Sequence, residues 1–363
     1  MTLIVPAHNE AAYIERKIRN INEIDYPSDH LRIVLVLDGC ADDTKKCALA
    51  AAQRYLSRHD AEILEYQCNV GKLAVLNAQI RRSTTPIVAV SDTSALIASD
   101  AMTRAAKHFQ DPGTGFVAAT YHLLNAFSPG EKAYNDYLVR IRRDEAALDS
   151  PLGVHGSLYY FRKDLWEPLP VDTINDDFVL PMRIVARGYR GIYDPLIVSY
   201  EMESATMLQE FRRRVRIGAG NLQQMARLWR LSDPRRPWMA FMFTSGKGLR
   251  PLMPFIAIVW VLAGLGLAVA DQELYCWLIG LGLATLLISK ATSRWVPYYQ
   301  PRVLAWISHL VDGYWASLLG SLKYLVGQRI SNWQRSSKEE ALPPFDICWK
   351  SAAAPSTSAG RAS

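Results

Sequence analysis

Ile33-Val34-Leu35-Val36-Leu37-Asp38-Gly39-Cys40-Ala41-Asp42-Asp43-Thr44 is the stretch that decides the fold. Its uninterrupted apolar run is of the kind carried by parallel strands that are covered on both faces. Asp38-Gly39 ends the run, and Asp42, Asp43 and Thr44 lead into an Ala-rich helix expected to reach about Arg58.

The same alternation recurs on either side. Upstream, Leu3-Ile4-Val5 is a short strand stopped by Pro6, and Asn9 is placed to cap a helix whose apolar face is Ile14, Ile18 and Ile21. Downstream, Ile63-Leu64-Glu65-Tyr66 is a third strand, followed by Gly71-Lys72 and a helix from Leu73. Ile87-Val88-Ala89-Val90 is a fourth, ending at Ser91-Asp92. Strand, helix, strand, helix predicts an α/β fold with a mostly parallel sheet flanked by helices. Such sheets bind ligands at the carboxyl ends of their strands, where Asp38 and Asp92 both fall. No G-x-G-x-x-G follows the first strand, and Gly71-Lys72 lacks the rest of a P-loop, so a dinucleotide-binding domain and a P-loop nucleotidase are not supported.

The 363 residues are 50% hydrophobic and 21% charged, which excludes a disordered chain and suggests two domains. Five cysteines with no CxxC pair fit a reducing compartment. The net charge of +6 is unevenly spread. Residues 204–250 hold ten Lys/Arg, among them Arg212, Arg213, Arg214 and Arg216, against two acids, Glu210 and Asp233. The remainder is slightly acidic, so general nucleic-acid binding is excluded.

The basic stretch runs into apolar sequence. Pro251 to Ala270 carries no charge over 20 positions, and Leu274 to Ser289 is a second uncharged run beyond Asp271, Gln272 and Glu273. These lengths predict a transmembrane hairpin. The Arg-rich flank places residues 1–250 on the cytoplasmic side, with Arg294 and Arg302 marking the return. Segment 303–326 is apolar but contains His309, Asp312 and Lys323, so it either spans or lies in the interface. If it spans, Arg329, Arg335 and Lys338 lie outside, against the charge rule. Ser351 to Ser363 is Ala/Ser/Pro-rich and is expected to be disordered. No signal-peptide pattern stands at the start.

Ile4-Val5-Pro6-Ala7-His8-Asn9-Glu10, Asp38-Gly39-Cys40-Ala41-Asp42-Asp43-Thr44, Gly71-Lys72 with Asn77, and Asp92-Thr93-Ser94 form an ordered series. It continues through Gly156-Ser157-Leu158-Tyr159-Tyr160-Phe161-Arg162, Asn175-Asp176-Asp177-Phe178 and Arg213-Arg214-Val215-Arg216-Ile217. The series resembles family 2 glycosyltransferases with the GT-A fold, in the membrane-bound cellulose- and hyaluronan-synthase-like branch. It covers residues 1 to about 230 and implies inverting sugar transfer from a nucleoside diphosphate donor. A UDP-sugar is the expected donor, with Mg²⁺ or Mn²⁺ as cofactor.

By this resemblance, Asp38 accepts from the nucleobase, while Pro6, Ala7 and Glu10 line the same pocket. Lys72 meets the diphosphate as a point charge. Asp92 binds the metal, and Ser94 stands where the family has a second Asp, so a single carboxylate is left for an ion that tolerates one or two. Asp177 is the expected general base, and Asp176 beside it raises its pKa by like-charge repulsion. His155, Gly156 and Ser157 lie on the acceptor side. Arg216 matches the Arg of the family's Q-x-x-R-W and could clamp the diphosphate. Arg213 and Ile217 replace its Gln and Trp, which favours addition of one sugar over processive synthesis.

The organisation that follows is a cytoplasmic catalytic domain over 1–203, basic amphipathic interface helices over 204–250, a membrane region over 251–326 and a tail over 327–363. The expected acceptor is lipid-linked or a polysaccharide, and the expected partners are membrane lipids and other envelope-polysaccharide proteins. Polyprenyl-phosphate glycosyl transfer and processive synthesis are the alternatives within the fold. A non-catalytic membrane scaffold binding a nucleotide sugar or a partner synthase is the alternative outside catalysis.

Overall fold

A computed structural model of the chain describes residues 1–123, 129–201, 207–270, 273–295 and 301–328. Asp271, Gln272 and the tail from Arg329 on, with Arg335, Lys338 and Ser351 to Ser363, lie outside the described residues. So do the side chains of Glu210, Arg294, Arg302 and His309.

The early apolar runs become the strands of a parallel half-sheet. β1 (Thr2–Ala7) is buried along its whole length between β2 (Arg32–Asp38) and β4 (Ile87–Ser91), and β3 (Asp60–Tyr66) pairs with β2. Burial on both faces is why β1, β2 and β4 lack polar alternation. Helices α1 (Ile14–Asn22), α2 (Thr44–Tyr55) and α3 (Lys72–Arg82) make the crossovers. Ile14, Ile18 and Ile21 join Leu3, Val5, Ile33 and Leu35 in the main core. Asn9 does not cap α1. It sits in the left-handed region at φ 55°, which Asn tolerates better than most residues, and its Oδ1 accepts the Ala41 N–H at 2.8 Å.

The second half of the sheet is mixed. It contains β5 (Ala95–Ile97), β6 (Thr114–Leu123), β7 (Leu158–Arg162) and β8 (Arg190–Glu201), and the full order is β3-β2-β1-β4-β7-β6-β8-β5. β7 runs antiparallel to both β4 and β6, β6 and β8 are parallel, and β5 is antiparallel to β8. The reversal has a use. Ser91 at the end of β4 pairs with Leu158 at the start of β7, so the segments that follow one strand and precede the other share one rim. Helices α4 (Ala101–His108), α5 (Pro129–Leu148) and α6 (Asp176–Ala186) complete this unit, which runs Met1–Ser204.

A second unit, Ala205–Ser331, is helical. It holds α7 (Met207–Arg227), α8 (Pro237–Phe243), α9 (Met253–Val269), α10 (Glu273–Trp295) and α11 (Arg302–Leu325). The expected pair of spanning helices is matched in part: α10 passes alone, and α9 passes only together with the helix before it. Among the described residues only α10, over Glu273–Thr292, is by itself long and apolar enough to cross a membrane. α9 has 17 residues, roughly 26 Å of helix against an apolar bilayer core of about 30 Å. With the preceding helix it forms a pair bent by 64°. Pro251 lies in that break, where a missing N–H and the ring stop the helix, and Pro254 stands in the first turn of α9. α11 is one continuous helix packed on α7 and α10. Its Asp312 pairs with Lys290 of α10. Gly218 and Gly320 bring α7 and α11 into backbone contact, since a Cβ on Gly320 would stand 2.1 Å from the Val215 carbonyl oxygen.

Candidate active site

The ends of β2 and β4, the start of α3, the loop before β7 and the start of α6 meet at one rim of the sheet. Asp92 follows β4, and its Oδ1 accepts from Lys72 Nζ at 2.6 Å. Lys72 is the first residue of α3, after Gly71 at φ +93°. Burial pulls its ammonium down, but Asp92, Asp176 and Asp177 together outweigh burial and hold its pKa above the ordinary lysine value. Asp176 and Asp177 open α6, where the helix dipole favours carboxylates. The Asp177 carbonyl accepts the Val154 N–H at 3.0 Å, tying α6 to the loop that carries Gly156.

Gly156 is where these groups converge. A Cβ there would stand 3.4 Å from Asp92 Oδ2, 3.6 Å from Lys72 Nζ and 3.7 Å from Asp177 Oδ2. Residues 72, 92, 156 and 177, far apart in the chain, therefore surround a single point. Three carboxylates face one ammonium, and Asp176 Oδ2 is buried without a hydrogen-bond partner. That surplus of negative charge fits a divalent cation held by one carboxylate together with ligand oxygens and water. Among the described residues no cluster of three His, Cys, Asp or Glu side chains could hold a metal unaided. Ser94 is buried, in the turn before β5.

Asp38 is 0% exposed. Its two carboxylate oxygens accept the N–H groups of Val70 and Gly71 at 2.8 and 2.9 Å. It therefore fixes the loop leading into Lys72 from a buried position. Gly39 lets that loop come close, because a Cβ on it would lie 2.2 Å from Asn69 N. Pro6, Ala7 and Glu10 are likewise buried beneath the rim. The Pro6 carbonyl accepts from Thr93 Oγ1 at 2.9 Å, and the Glu10 N–H donates to Thr44 Oγ1 at 2.7 Å. His8, which the first motif contains without a role, and Asn69 stand nearer the surface. His8 Nδ1 donates to the Asp38 carbonyl at 2.6 Å, and its Nε2 accepts from Asn69 Nδ2 at 3.0 Å.

Residues 2–167 match the family described as Glycosyl transferase family 2, and residues 87–311 match Glycosyl transferase family group 2. The chain belongs to glycosyl transferase family 2. The family read from motif order is thereby borne out. Curated relatives of the chain include a poly-beta-1,6-N-acetyl-D-glucosamine synthase of Staphylococcus aureus, 23% identical over 274 residues. That match covers 72% of this chain and 62% of the relative. A beta-monoglucosyldiacylglycerol synthase of Trichormus variabilis is 23% identical over 261 residues, covering 67% of this chain and 54% of the relative. The chain thus spans less than two thirds of either. A mannosyltransferase from Pyrobaculum calidifontis, solved in complex with GDP-Man and Mn²⁺, matches with a TM-score of 0.69 and 25% identity over 89% of this chain and 86% of its own.

The remaining expected site residues fall in two places. His155 stacks on Tyr121 with ring centroids 3.9 Å apart, and its Nδ1 lies 2.9 Å from Ser157 Oγ, which meets Ser199 Oγ at 2.7 Å. His155 and Ser157 thus belong to one polar strip beside Gly156. Arg216 is exposed on α7 of the helical unit.

Proposed function

We propose that the glycosyltransferase moves a sugar from a nucleoside diphosphate donor to an acceptor hydroxyl by one displacement, inverting the anomeric carbon, at a membrane surface. The convergence of Asp92, Lys72 and Asp177 on Gly156 carries this reading. Asp177 takes the proton of the attacking hydroxyl as the new bond to the anomeric carbon forms. The bond from that carbon to the diphosphate breaks, and the nucleoside diphosphate leaves with the electron pair. Lys72 meets its growing charge. Asp92 would hold Mg²⁺ or Mn²⁺, which supplies further neutralisation of the leaving group when bound. The Mn²⁺ in the mannosyltransferase complex supports a metal.

A UDP-sugar is the first donor to test. The GDP-Man in the same complex supports a guanosine donor as the second. Relatives named as a polysaccharide synthase and a glycolipid synthase support a glycan or lipid-linked acceptor. Membrane placement is supported by α10, of whose apolar window 6% is buried, unlike the core helix of a soluble protein. It is also supported by exposed Trp229, Trp238 and Phe241 among Arg227, Arg230, Arg235 and Arg236, a composition that suits an anionic headgroup layer. By the charge rule the catalytic unit faces the cytoplasm.

The test uses detergent-purified protein, Mn²⁺ or Mg²⁺, a panel of UDP- and GDP-sugars, and membrane lipid extract as acceptor. Nucleoside diphosphate release is expected with one donor and is expected to vanish in Asp177→Asn. Release that survives this substitution removes Asp177 from the chemistry; no release with any donor removes the transferase reading.

A further inference from the structure

Lys17 lies where the helical period calls for an apolar residue. Positions 14, 17, 18 and 21 form one face of α1, and the other three are isoleucines in the core. Lys17 is 0% exposed with them. Burying an ammonium is costly, and methionine would fill the space without that cost. Its Nζ donates to Ser91 Oγ at 2.6 Å and to the Ala95 carbonyl at 2.5 Å. Those acceptors sit at the two ends of the Ser91–Ala95 turn, which carries Asp92. Ser91 Oγ in turn donates to the Ser157 carbonyl at 2.7 Å, and the Asp92 N–H reaches the same carbonyl at 3.2 Å. One side chain therefore braces both the turn with Asp92 and the loop with Gly156.

We infer that Lys17 is a positioning residue for donor binding: it holds the Ser91–Ala95 turn so that the Asp92 carboxylate is presented to Lys72 and to the metal–diphosphate group. The inference rests on the cleft reading above. Ser94 is buried in this same turn, so Asp92 is the turn's one carboxylate, and its aim matters more than it would in a turn with two. Burial draws the Lys17 pKa down to about 7 against the pull of Asp92 and Glu201. The brace works through N–H donors that both protonation states possess.

The test measures binding of GDP and of UDP, each with Mn²⁺, to the full chain by calorimetry. Lys17→Met is made in the parent and in Asp92→Asn, and amide exchange at Asp92 and Ala95 is followed alongside. Lys17→Met is expected to weaken binding by about 10- to 100-fold, as loss of an outer support around a metal ligand typically does. It is also expected to speed exchange in the turn, and to cost nothing further once Asp92 is Asn. Ser91→Ala, which removes one acceptor, should show a smaller loss of the same kind and serves if Lys17→Met does not fold. Parent-like binding or unchanged exchange in the variants overturns the inference, as does an equal loss in the Asp92→Asn background, the mark of a merely structural lysine. Failure of the parent to bind either nucleotide overturns the cleft reading itself, and the inference with it.

Discussion

β2 and β4 end alike in sequence, each an apolar run followed by an aspartate, and they end differently in space. Asp38 is sealed, with both oxygens committed to the Val70 and Gly71 N–H groups. The Asp92 side chain is 31% exposed and bonded to Lys72. The first holds a loop and the second pairs with a lysine side chain. A strand-end carboxylate thus has two possible occupations, and the number of backbone N–H groups aimed at it separates them.

The largest effect that would bear on this contrast is chemical. Asp177→Asn is expected to lower kcat by roughly 10²- to 10⁴-fold with donor affinity little changed, in a nucleoside diphosphate release assay. Next, Asp38→Ala should act on folding. It removes the charged acceptor of two part-buried N–H groups, at about 1.5–3 kcal/mol each, and the loss should appear as a lowered Tm. Asp92→Asn should leave Tm nearly unchanged and weaken Mn²⁺–nucleotide binding instead. If both aspartates move the same observable, the distinction between clamp and cleft residue collapses. Gly156→Ala should fold normally, because its methyl meets its neighbours at ordinary contact distance. It fills the space between Asp92, Lys72 and Asp177, so KM for the donor should rise by about tenfold, the scale of a few misplaced contacts.

The smallest effect is a slope with pH. Burial holds Lys17 at about 7 in the folded protein, opposed by Asp92 and Glu201, while the unfolded chain keeps an ordinary lysine near 10. Below about pH 7 both states are protonated and the full cost of the buried ammonium is present. Between about 7 and 10 the unfolded state holds the extra proton, so stability rises with pH. The advantage of Lys17→Met over the parent, followed by Tm, should therefore be greatest near pH 6 and shrink toward pH 9.

The parallel half of the sheet was legible because strands buried on both faces write themselves as unbroken apolar runs, as at 33–37 and 87–90. The mixed half was not. β5 is three residues long, and β8 contains Pro195 beside a register shift between Ala119 and Thr120, which breaks the period a strand is read by. Asp92 and Asp177 could be proposed as neighbours from motif order, but no local spacing brings residues 92 and 177 together. The reversal of β7 does. The buried state of Asp38 depends on where residues 70 and 71 fold back, which no reading of 33–44 contains. Lys17 did leave a signal, a charge on a face otherwise made of isoleucine.

The glycine contact between α7 and α11 carries a consequence for synthesis. Gly218 is made about a hundred residues before Gly320, and neither tolerates a side chain against the other helix. A ribosome releasing the chain in order delivers the arginine-bearing helix first and its close-fitting cover about a hundred residues later. Until that helix emerges, the bare backbone groove on α7 has nothing to meet, so a product truncated before Arg302 should be the species that quality-control proteases remove.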